Sequence, residues 1–202
     1  MSVIAPSLEA GVAYVKACLG VAPGAGRVHP GMGTHNLLLA LGPSVYLEVI
    51  STDPDAAPAT RPRWFGLDQV RAHSVPRLGV WVARTDDIVG ASDTELGEVQ
   101  TMRRAEHTWQ MTIRPDGAVP LEGAGPLLIQ RAPGANPVAA LAPSDLQFKR
   151  LLIEHPEPDR VRTLFTKLQL ASVPTVSVTH GSKCNLVAEI QTSAGVRRLG
   201  EA

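Results

Sequence analysis

Hydrophobic residues follow a helical spacing near the start of the chain and then give way to short aliphatic runs. Apolar side chains recur at intervals of three and four residues between positions 8 and 19, which predicts an amphipathic helix ended by Gly20. THNLLLALG and VYLEVIS are short and rich in aliphatic residues, which predicts two β-strands joined by a turn at residues 42–44. The glycine- and proline-rich stretch VAPGAGRVHPGMG is predicted as a loop.

The rest of the chain continues with strands and short helices. A short helix is predicted around residues 64–72, and RLGVWVAR then predicts a strand. Thr85 and the two residues after it offer an N-cap for a helix near Ile88. EVQTMRRA and TWQMTIRP predict a hairpin, and PLLIQRA predicts a further strand. Beyond a linker, LQFKRLLIEH predicts a strand, residues 156–170 a helix, and TVSVTH and NLVAEIQT two more strands.

The order of a strand, a helix and further strands occurs three times. LEAGVAYVKACLGV aligns with PDRVRTLFTKLQLA, and YLEVIST aligns with VAEIQTS, which places Glu48 over Glu189. Internal repetition of this kind is a strong indication of architecture. We therefore expect an α+β protein of repeated βαββ(β) modules, two of them (about 1–53 and 77–133) in a domain at 1–133 and a third βαββ-like module at 146–202.

Composition and charge narrow the classes of function. The chain has 202 residues, of which 44% are hydrophobic, so it can build a real core. Nineteen lysines and arginines balance 19 aspartates and glutamates, which argues against a nucleic-acid or an anionic-membrane partner. Neither Cys18 nor Cys184 belongs to a CxxC pair, so a zinc ribbon or a redox dithiol is not expected. The chain shows no signal-peptide pattern and no apolar run of about 20 residues, and we expect a cytoplasmic protein.

Two stretches of the chain resemble a known protein family. HPGMGTHNLLLALG, YLEVI and the following DP, together with GVWVARTDD, are similar to the glyoxalase-like branch of the vicinal oxygen chelate superfamily. The resemblance covers about residues 2–133 and is most specific over 31–53. It implies that two modules pair into a curved, half-open cup of mixed sheet with helices on the outside. Superfamily members include lactoylglutathione lyases, extradiol dioxygenases and drug-binding proteins, and dimers are common among them.

The resemblance also implies four inward-facing metal ligands, one on the first and one on the last strand of each module. Residues 1–4 carry no histidine, whereas Glu48 fits the pattern. Val80 or Trp81 stands where a histidine is expected, and Gln130 stands where a glutamate is expected. One carboxylate and one amide oxygen are too few to hold a divalent ion against water. We expect no cofactor, and a divalent-metal-dependent lyase, isomerase or dioxygenase remains the alternative.

The predicted site centres on Glu48. Strand alternation puts this carboxylate on the face of Tyr46 and Ile50, where its burial requires a partner. Glu48 is therefore a general base that acts on a ligand, an anchor for a polar ligand, or the partner of an arginine. Arg103 and Arg104 are the candidates for such a partner.

Substrate-binding candidates come from the neighbouring strands. His35 shares a strand face with three leucines, which favours packing, but both faces are apolar, so Asn36 could point inward instead. Trp109 either stacks against a flat ligand or belongs to the core. The predicted substrate-binding residues are the following: His35, Asn36, Arg104, Trp109 and Gln130.

Three functions are compatible with this sequence. The first is an enzyme that acts on a small polar organic substrate by acid–base chemistry at Glu48. The second is a metal-free protein that binds such a molecule without changing it, and the third is an interaction module whose cup is filled. The third module caps a sheet edge or pairs with a second copy of the chain in a homodimer. Other catalytic patterns, such as GxSxG, a P-loop or GxGxxG, are absent from the sequence.

Overall fold

A computed structural model describes residues 1–104, 107–173 and 175–200, with the side chain of residue 104 excepted. These residues contain two α-helices and 13 β-strands in three sheets. The predicted α+β class is therefore confirmed. In this part of the chain, no helix has both the length and the apolar composition needed to cross a membrane.

The first sheet has five strands in the order β2-β3-β4-β1-β5. β1 runs parallel to β4 and antiparallel to β5, and the other neighbours are antiparallel. The strands are β1 (Ser2–Ile4), β2 (Gly24–His29), β3 (Thr34–Ala40), β4 (Tyr46–Thr52) and β5 (Arg77–Val80).

The helix α1 (Leu8–Leu19) spans the predicted residues. Ser7 caps its N-terminus by accepting a hydrogen bond from the Ala10 N–H at 3.2 Å, and Gly20 ends it in a left-handed conformation with φ 78°. Its buried face shares one hydrophobic cluster with Leu47 and Val49 of β4. Because side chains alternate along a strand, Tyr46 and Glu48 lie on the face that α1 does not cover.

The loop predicted over VAPGAGRVHPGMG is wrong in its central part, where β2 pairs with β3. The register shifts between Gly24 and Gly26, as at a β-bulge. A Cβ atom at Gly26 would lie 1.6 Å from the backbone oxygen of Asn36, so only glycine permits this approach of the two strands. In this segment a glycine thus marks a place where two strands approach closely, and not only a turn of the chain.

The second sheet has the order β6-β9-β8-β7. Its strands are β6 (Val82–Arg84), β7 (Glu98–Arg104), β8 (His107–Ile113) and β9 (Leu127–Arg131), which confirms the predicted hairpin and the strand after it. The single strand predicted over RLGVWVAR is wrong, because Trp81 divides it between the two sheets. The buried Trp81 indole N–H donates to the Ala124 carbonyl oxygen at 3.1 Å, and its ring meets Phe165 edge-on at 5.6 Å. These contacts hold Trp81 between the two sheets, so β5 ends before it and β6 begins after it.

Two predicted short helices differ from the structure. The helix near Ile88 is wrong: Asp87 Oδ1 accepts from the Gly90 N–H at 2.9 Å and Asp87 O from the Ala91 N–H at 3.1 Å, which makes a turn. These are the bonds of a helix N-cap, so the cap forms, but the segment ends after a single turn. The helix predicted over 64–72 is a 3-10 stretch, Trp64–Gln69, broken by left-handed φ values of 63° at Phe65 and 67° at Gly66.

The first two sheets share a strand order that the third does not have. In each of them the opening strand, β1 or β6, lies parallel to the closing strand, β4 or β9. The third unit contains β10 (Gln147–His155), α2 (Pro158–Lys167), β11 (Val176–His180), β12 (Asn185–Thr192) and the unpredicted β13 (Gly195–Leu199). Its order is β11-β10-β12-β13, so its opening strand lies between β11 and β12.

The third unit packs against the other two through apolar and ionic contacts. Its buried side chains belong to the same hydrophobic cluster as those beneath α1. Two ion pairs join α2 to the segment before β7: Arg160 with Glu95 at 2.7 Å and Lys167 with Asp93 at 2.8 Å. Glu189 itself pairs with two arginines of its own sheet, Arg150 at 2.6 Å and Arg198 at 3.0 Å, which lower its pKa.

Candidate functional site

A cavity of about 670 Å³ lies where the three units meet. The first sheet contributes Ser2, Asn36, Leu38, Tyr46 and Glu48, and the second contributes Val82, Trp109, Met111, Ile129 and Arg131. Further walls come from the third unit, from residues 134–137 and from the Trp64-Phe65 loop. The cavity is therefore lined by residues far apart in the chain, and it has both polar and apolar walls.

Glu48 is held in this cavity by two side-chain donors. In the register of β1 and β4 it lies beside Ser2, whose hydroxyl donates to Oε2 at 2.6 Å. Asn36 Nδ2 donates to Oε1 at 2.5 Å. Each carboxylate oxygen of Glu48 thus has one protein donor, which fixes the rotamer and offsets the cost of partial burial.

Asn36 connects Glu48 to a histidine. Its Oδ1 accepts a hydrogen bond from the Arg27 N–H at 2.8 Å, which turns the amide nitrogen toward Glu48. The same nitrogen lies 3.4 Å from His29 Nε2, while His29 Nδ1 lies 3.0 Å from the Thr34 hydroxyl. Because the amide nitrogen can only donate, this arrangement fits the histidine tautomer with its proton on Nδ1. Glu48, Asn36, His29 and Thr34 thus form one polar chain.

A cationic group lies across the cavity on β9. Arg131 Nη2 donates to the Tyr46 hydroxyl at 3.1 Å, which ties the second sheet to the first. The Met1 amino group donates to the Tyr46 carbonyl oxygen at 3.2 Å. Burial lowers the pKa of this amino group to about 6, with Glu48 raising it and Arg131 lowering it. The charges of Glu48 and Arg131 therefore both act on the Met1 amino group.

The loop before β5 supplies an aromatic wall. Trp64 stacks on Phe65 with ring centroids 5.2 Å apart and an interplanar angle of 11°, and its edge meets His29 at 5.2 Å. Both loop aromatics are buried. The Trp64 indole N–H is buried and has no hydrogen-bond partner in the described part of the chain. Packing thus places these rings beside the polar chain that ends at His29.

The structure places the predicted site residues unequally. Glu48, Asn36 and Trp109 line the cavity. The imidazole of His35 lies on the α1 side of the sheet, where its Nδ1 is 3.9 Å from Asp53 Oδ1. Gln130 also lies away from the cavity, and its Oε1 accepts a hydrogen bond from the Ile88 N–H at 2.7 Å. The side chain of Arg104 lies outside the described residues.

The arginine partner predicted for Glu48 takes a different form. The side chain of Arg103 is exposed on β7, and the hydrogen-bond partners of Glu48 in the described chain are Ser2 and Asn36. A hydroxyl and an amide therefore serve as the partners of Glu48 among the described residues, Arg103 is not one of them, and the side chain of the other candidate, Arg104, lies outside those residues. The cation at the cavity is Arg131, one residue after the predicted Gln130.

Several cavity residues were not predicted from the sequence, among them Ser2, Arg27, His29 and Arg131. Ser2 could have been found from parallel pairing of the first and last strands of a module, which puts it beside Glu48. Arg131 could have been found from its register with Trp109, because directly paired residues share a sheet face. His29 and Arg27 lie on the strand predicted as a loop, and nothing in a glycine-rich segment indicates which way they point.

The side chains at the four implied metal positions do not form a donor set. The described residues contain no group of three or more histidine, cysteine, aspartate or glutamate side chains placed to hold a metal. β1 and β4 present Ser2 and Glu48 to the cavity. The positions expected in the second module are corrected: Val80 ends β5 of the first sheet and Gln130 points away, so β6 and β9 present Val82, Ile129 and Arg131 instead. Two apolar side chains and a guanidinium cannot complete the coordination shell of a divalent ion. The residues present therefore do not fit the superfamily's metal.

The family described as a glyoxalase-like domain matches residues 1–169. The chain therefore belongs to this family, within the vicinal oxygen chelate superfamily. The match extends through β10 and α2, beyond residues 2–133, which carry the sequence resemblance. No curated protein and no solved structure matches the chain. Because this fold supports several chemistries, the function has to be argued from the cavity.

Proposed function

We propose that this glyoxalase-like chain binds a small polar organic molecule in the cavity and transforms it by acid–base chemistry at Glu48, without a metal. On this proposal the first two sheets form the half-open cup and the third unit caps it. The observation that carries the proposal is a carboxylate held by two donors in a cavity of about 670 Å³. This volume is in the range of small-molecule sites, about 300–1,000 Å³.

Glu48 keeps the capacity to act on a ligand. An ionised carboxylate has about four acceptor positions, of which Ser2 and Asn36 occupy two. The remaining lone pairs can receive a proton from a hydroxyl or an acidic C–H of a bound molecule, and return it to a neighbouring atom. The two donors keep the carboxylate oriented throughout, so proton transfer needs no side-chain rearrangement.

Metal-free chemistry is the form that these residues support. With Ser2, Val82 and Ile129 as the cavity-facing residues of β1, β6 and β9, a divalent ion would have only the Glu48 carboxylate as a strong ligand. A divalent-metal-dependent lyase, isomerase or dioxygenase is therefore the less favoured alternative. Cytoplasmic location and pairing in a homodimer stay predictions.

Binding without chemical change is the second candidate function. It is favoured by the partners of Glu48, because neither the Ser2 hydroxyl nor the Asn36 amide gains or loses a charge near neutral pH and so neither can relay a proton as an acid or a base. The histidine of the polar chain reaches Glu48 only through the Asn36 amide. On this view Glu48 anchors a hydroxyl or amine of the ligand.

A ligand screen with a filled cavity tests the proposal. Small polar organic compounds are screened by thermal shift with EDTA present, and hits are checked by calorimetry. Leu38 lines the cavity next to Glu48 in the strand register, so Leu38→Trp should abolish binding, whereas Val75→Trp at a residue that is 70% exposed should not. Hits that bind both variants equally, or only with added metal, would contradict the proposal.

A second experiment separates the two candidate functions. Each hit is incubated with the protein and followed by NMR for chemical change or for exchange of carbon-bound hydrogen with solvent deuterium. Conversion or exchange that disappears in Glu48→Gln, while binding persists, supports the enzyme. Binding with neither conversion nor exchange supports the binding protein.

A further inference from the structure

The charges at the cavity identify a class of ligand. The described residues that line it include three with a cationic side chain, Arg27, Arg84 and Arg131, and one with a carboxylate, Glu48. We propose that the cavity takes an organic anion with a flat apolar body, whose carboxylate pairs with Arg131. This inference rests on the proposed function and specifies its ligand.

Arg131 is arranged to receive an anion. It is half-buried, and its Nη2 donates a hydrogen bond to the neutral Tyr46 hydroxyl at 3.1 Å. Arg131 forms no ion pair within the described chain, whereas Arg150 and Arg198 both pair with Glu189. A guanidinium has five N–H donors in a planar fork, so the contact with Tyr46 leaves donors for two carboxylate oxygens. A partly buried charge without an ionic partner is unfavourable, and a bound carboxylate would compensate it.

The walls next to Arg131 suit a flat apolar body. Trp109 is its direct partner in the β8–β9 register, so both side chains lie on the same sheet face. Met111 and Ile129 pair in the same way one step further along, and both line the cavity. Phe148 of the third unit adds another ring to the lining. Aromatic and aliphatic walls beside one oriented charge are typical of sites for aromatic acids.

The other two arginines favour anions during approach. Arg84 is half exposed, and its Nη2 lies 3.5 Å from Oδ1 of Asp86, whose side chain is exposed. Arg27 is half-buried and lies beside the polar chain that contains Glu48 and Asn36. Charges of one sign around an opening attract ligands of the other sign. Glu48 then selects for a hydrogen-bond donor elsewhere on the ligand, because a second anionic group there would be repelled.

The inference is tested with matched acids and amides. Affinities of 6-hydroxy-2-naphthoate, 4-hydroxyphenylacetate and indole-3-acetate, each with a donor for Glu48, are measured by calorimetry against those of the corresponding carboxamides. Because charge-assisted hydrogen bonds are the strong ones, the acids should bind about 10-fold to 100-fold tighter than the amides. Arg131→Gln should remove most of this preference, while Arg103→Gln, at an exposed residue of the same sheet, should keep it. Unfolding midpoints show that both variants fold.

Each other outcome has a defined meaning. Equal affinity for acids and amides, or a preference that survives Arg131→Gln, overturns the assignment of Arg131 as an anion site. Failure of all six compounds to bind, while neutral molecules from the ligand screen bind, also overturns it and leaves the proposed function standing. Failure of every compound in both experiments contradicts the proposed function itself.

Discussion

Asn36 and Glu48 lie on adjacent strands and are joined by a hydrogen bond of 2.5 Å from Nδ2 to Oε1. Asn36 pairs in register with Ile50, so the asparagine and the glutamate are diagonal neighbours on one sheet face. The Arg27 N–H fixes the amide orientation by occupying Oδ1. The position of the carboxylate thus depends on β2, the strand that carries Arg27.

Replacing Asn36 by Asp would bring two carboxylates together. At pH 8 the variant should lose about 1–3 kcal/mol of unfolding free energy, because a charged acceptor replaces the donor to Glu48. In the folded variant, the two neighbouring carboxylates relieve their repulsion by binding a proton. In the unfolded chain the two carboxylates are apart, and they release that proton at this pH. Stability of Asn36→Asp should therefore fall as the pH rises from 5 to 8. Urea unfolding at both pH values measures the difference.

Asn136→Asp is the matched control for this experiment. Asn136 is exposed, and its Oδ1 accepts from the Val138 N–H at 3.1 Å, a role that aspartate keeps. Aspartate loses the donation from Nδ2 to the Pro43 carbonyl oxygen at 2.9 Å, so the control also removes an amide donor but does not place a second carboxylate beside Glu48. The control should show little of the pH dependence expected of Asn36→Asp. A destabilisation of Asn36→Asp that is the same at pH 5 and pH 8 would contradict the proposed contact with Glu48.

Gly26 should be indispensable for the geometry of β2. A Cβ atom there would meet the Asn36 backbone oxygen at 1.6 Å, so Gly26→Ala must push the two strands apart. We expect a loss of about 1–3 kcal/mol and weaker ligand binding. Gly24→Ala is the control, because its Cβ would be 4.0 Å from the nearest atom, the Leu38 oxygen. Equal stability of the two variants in urea unfolding would contradict this account.

Elements with a clear periodicity were predictable from sequence. The spacing of apolar residues in α1 and the aliphatic runs of β3 and β4 specify their structures locally. The face shared by Tyr46 and Glu48 follows from alternation, and both residues line the cavity. Asn36 was one of two open choices, since both faces of β3 are apolar, and only packing against α1 distinguishes them.

The remaining errors come from information that is not local. Alternation within β9 leaves either Gln130 or Arg131 facing inward, and the register with Trp109 selects Arg131. The break at Trp81 depends on its contacts with Ala124 and Phe165, which are distant in sequence. The cavity wall formed by the third unit is of the same kind, because no local pattern reveals which sheets meet.

Cys184 should react slowly with alkylating reagents in the folded protein. Burial, with a smaller effect of the Glu122 charge, raises the pKa of its thiol to about 11 from the usual 9.0. Because the thiolate is the reactive form, a thiol pKa of about 11 in place of 9.0 should slow alkylation about 100-fold at pH 8. Iodoacetamide labelling of a Cys18→Ala variant, followed by mass spectrometry, measures the rate. Denatured protein is the reference, and equal rates in the two states would contradict the burial of this thiol.

The ion pair between Asp93 and Lys167 should make docking of the third unit sensitive to acid. The hydrogen bond from Lys167 is the largest cause that lowers the pKa of Asp93 in the folded state. A lowered carboxyl pKa contributes stability above its unfolded value of about 3.9, and this contribution is lost as the pH falls through the folded value. Lys167→Met should therefore cost about 0.2–1 kcal/mol at pH 7, as expected for a solvent-accessible pair, and less at pH 3. Lys149→Met, at an exposed residue of β10, should show no such pH dependence in urea unfolding. A cost of Lys167→Met that is unchanged at pH 3 would mean that its methylene groups, and not its charge, stabilise the contact between α2 and Asp93.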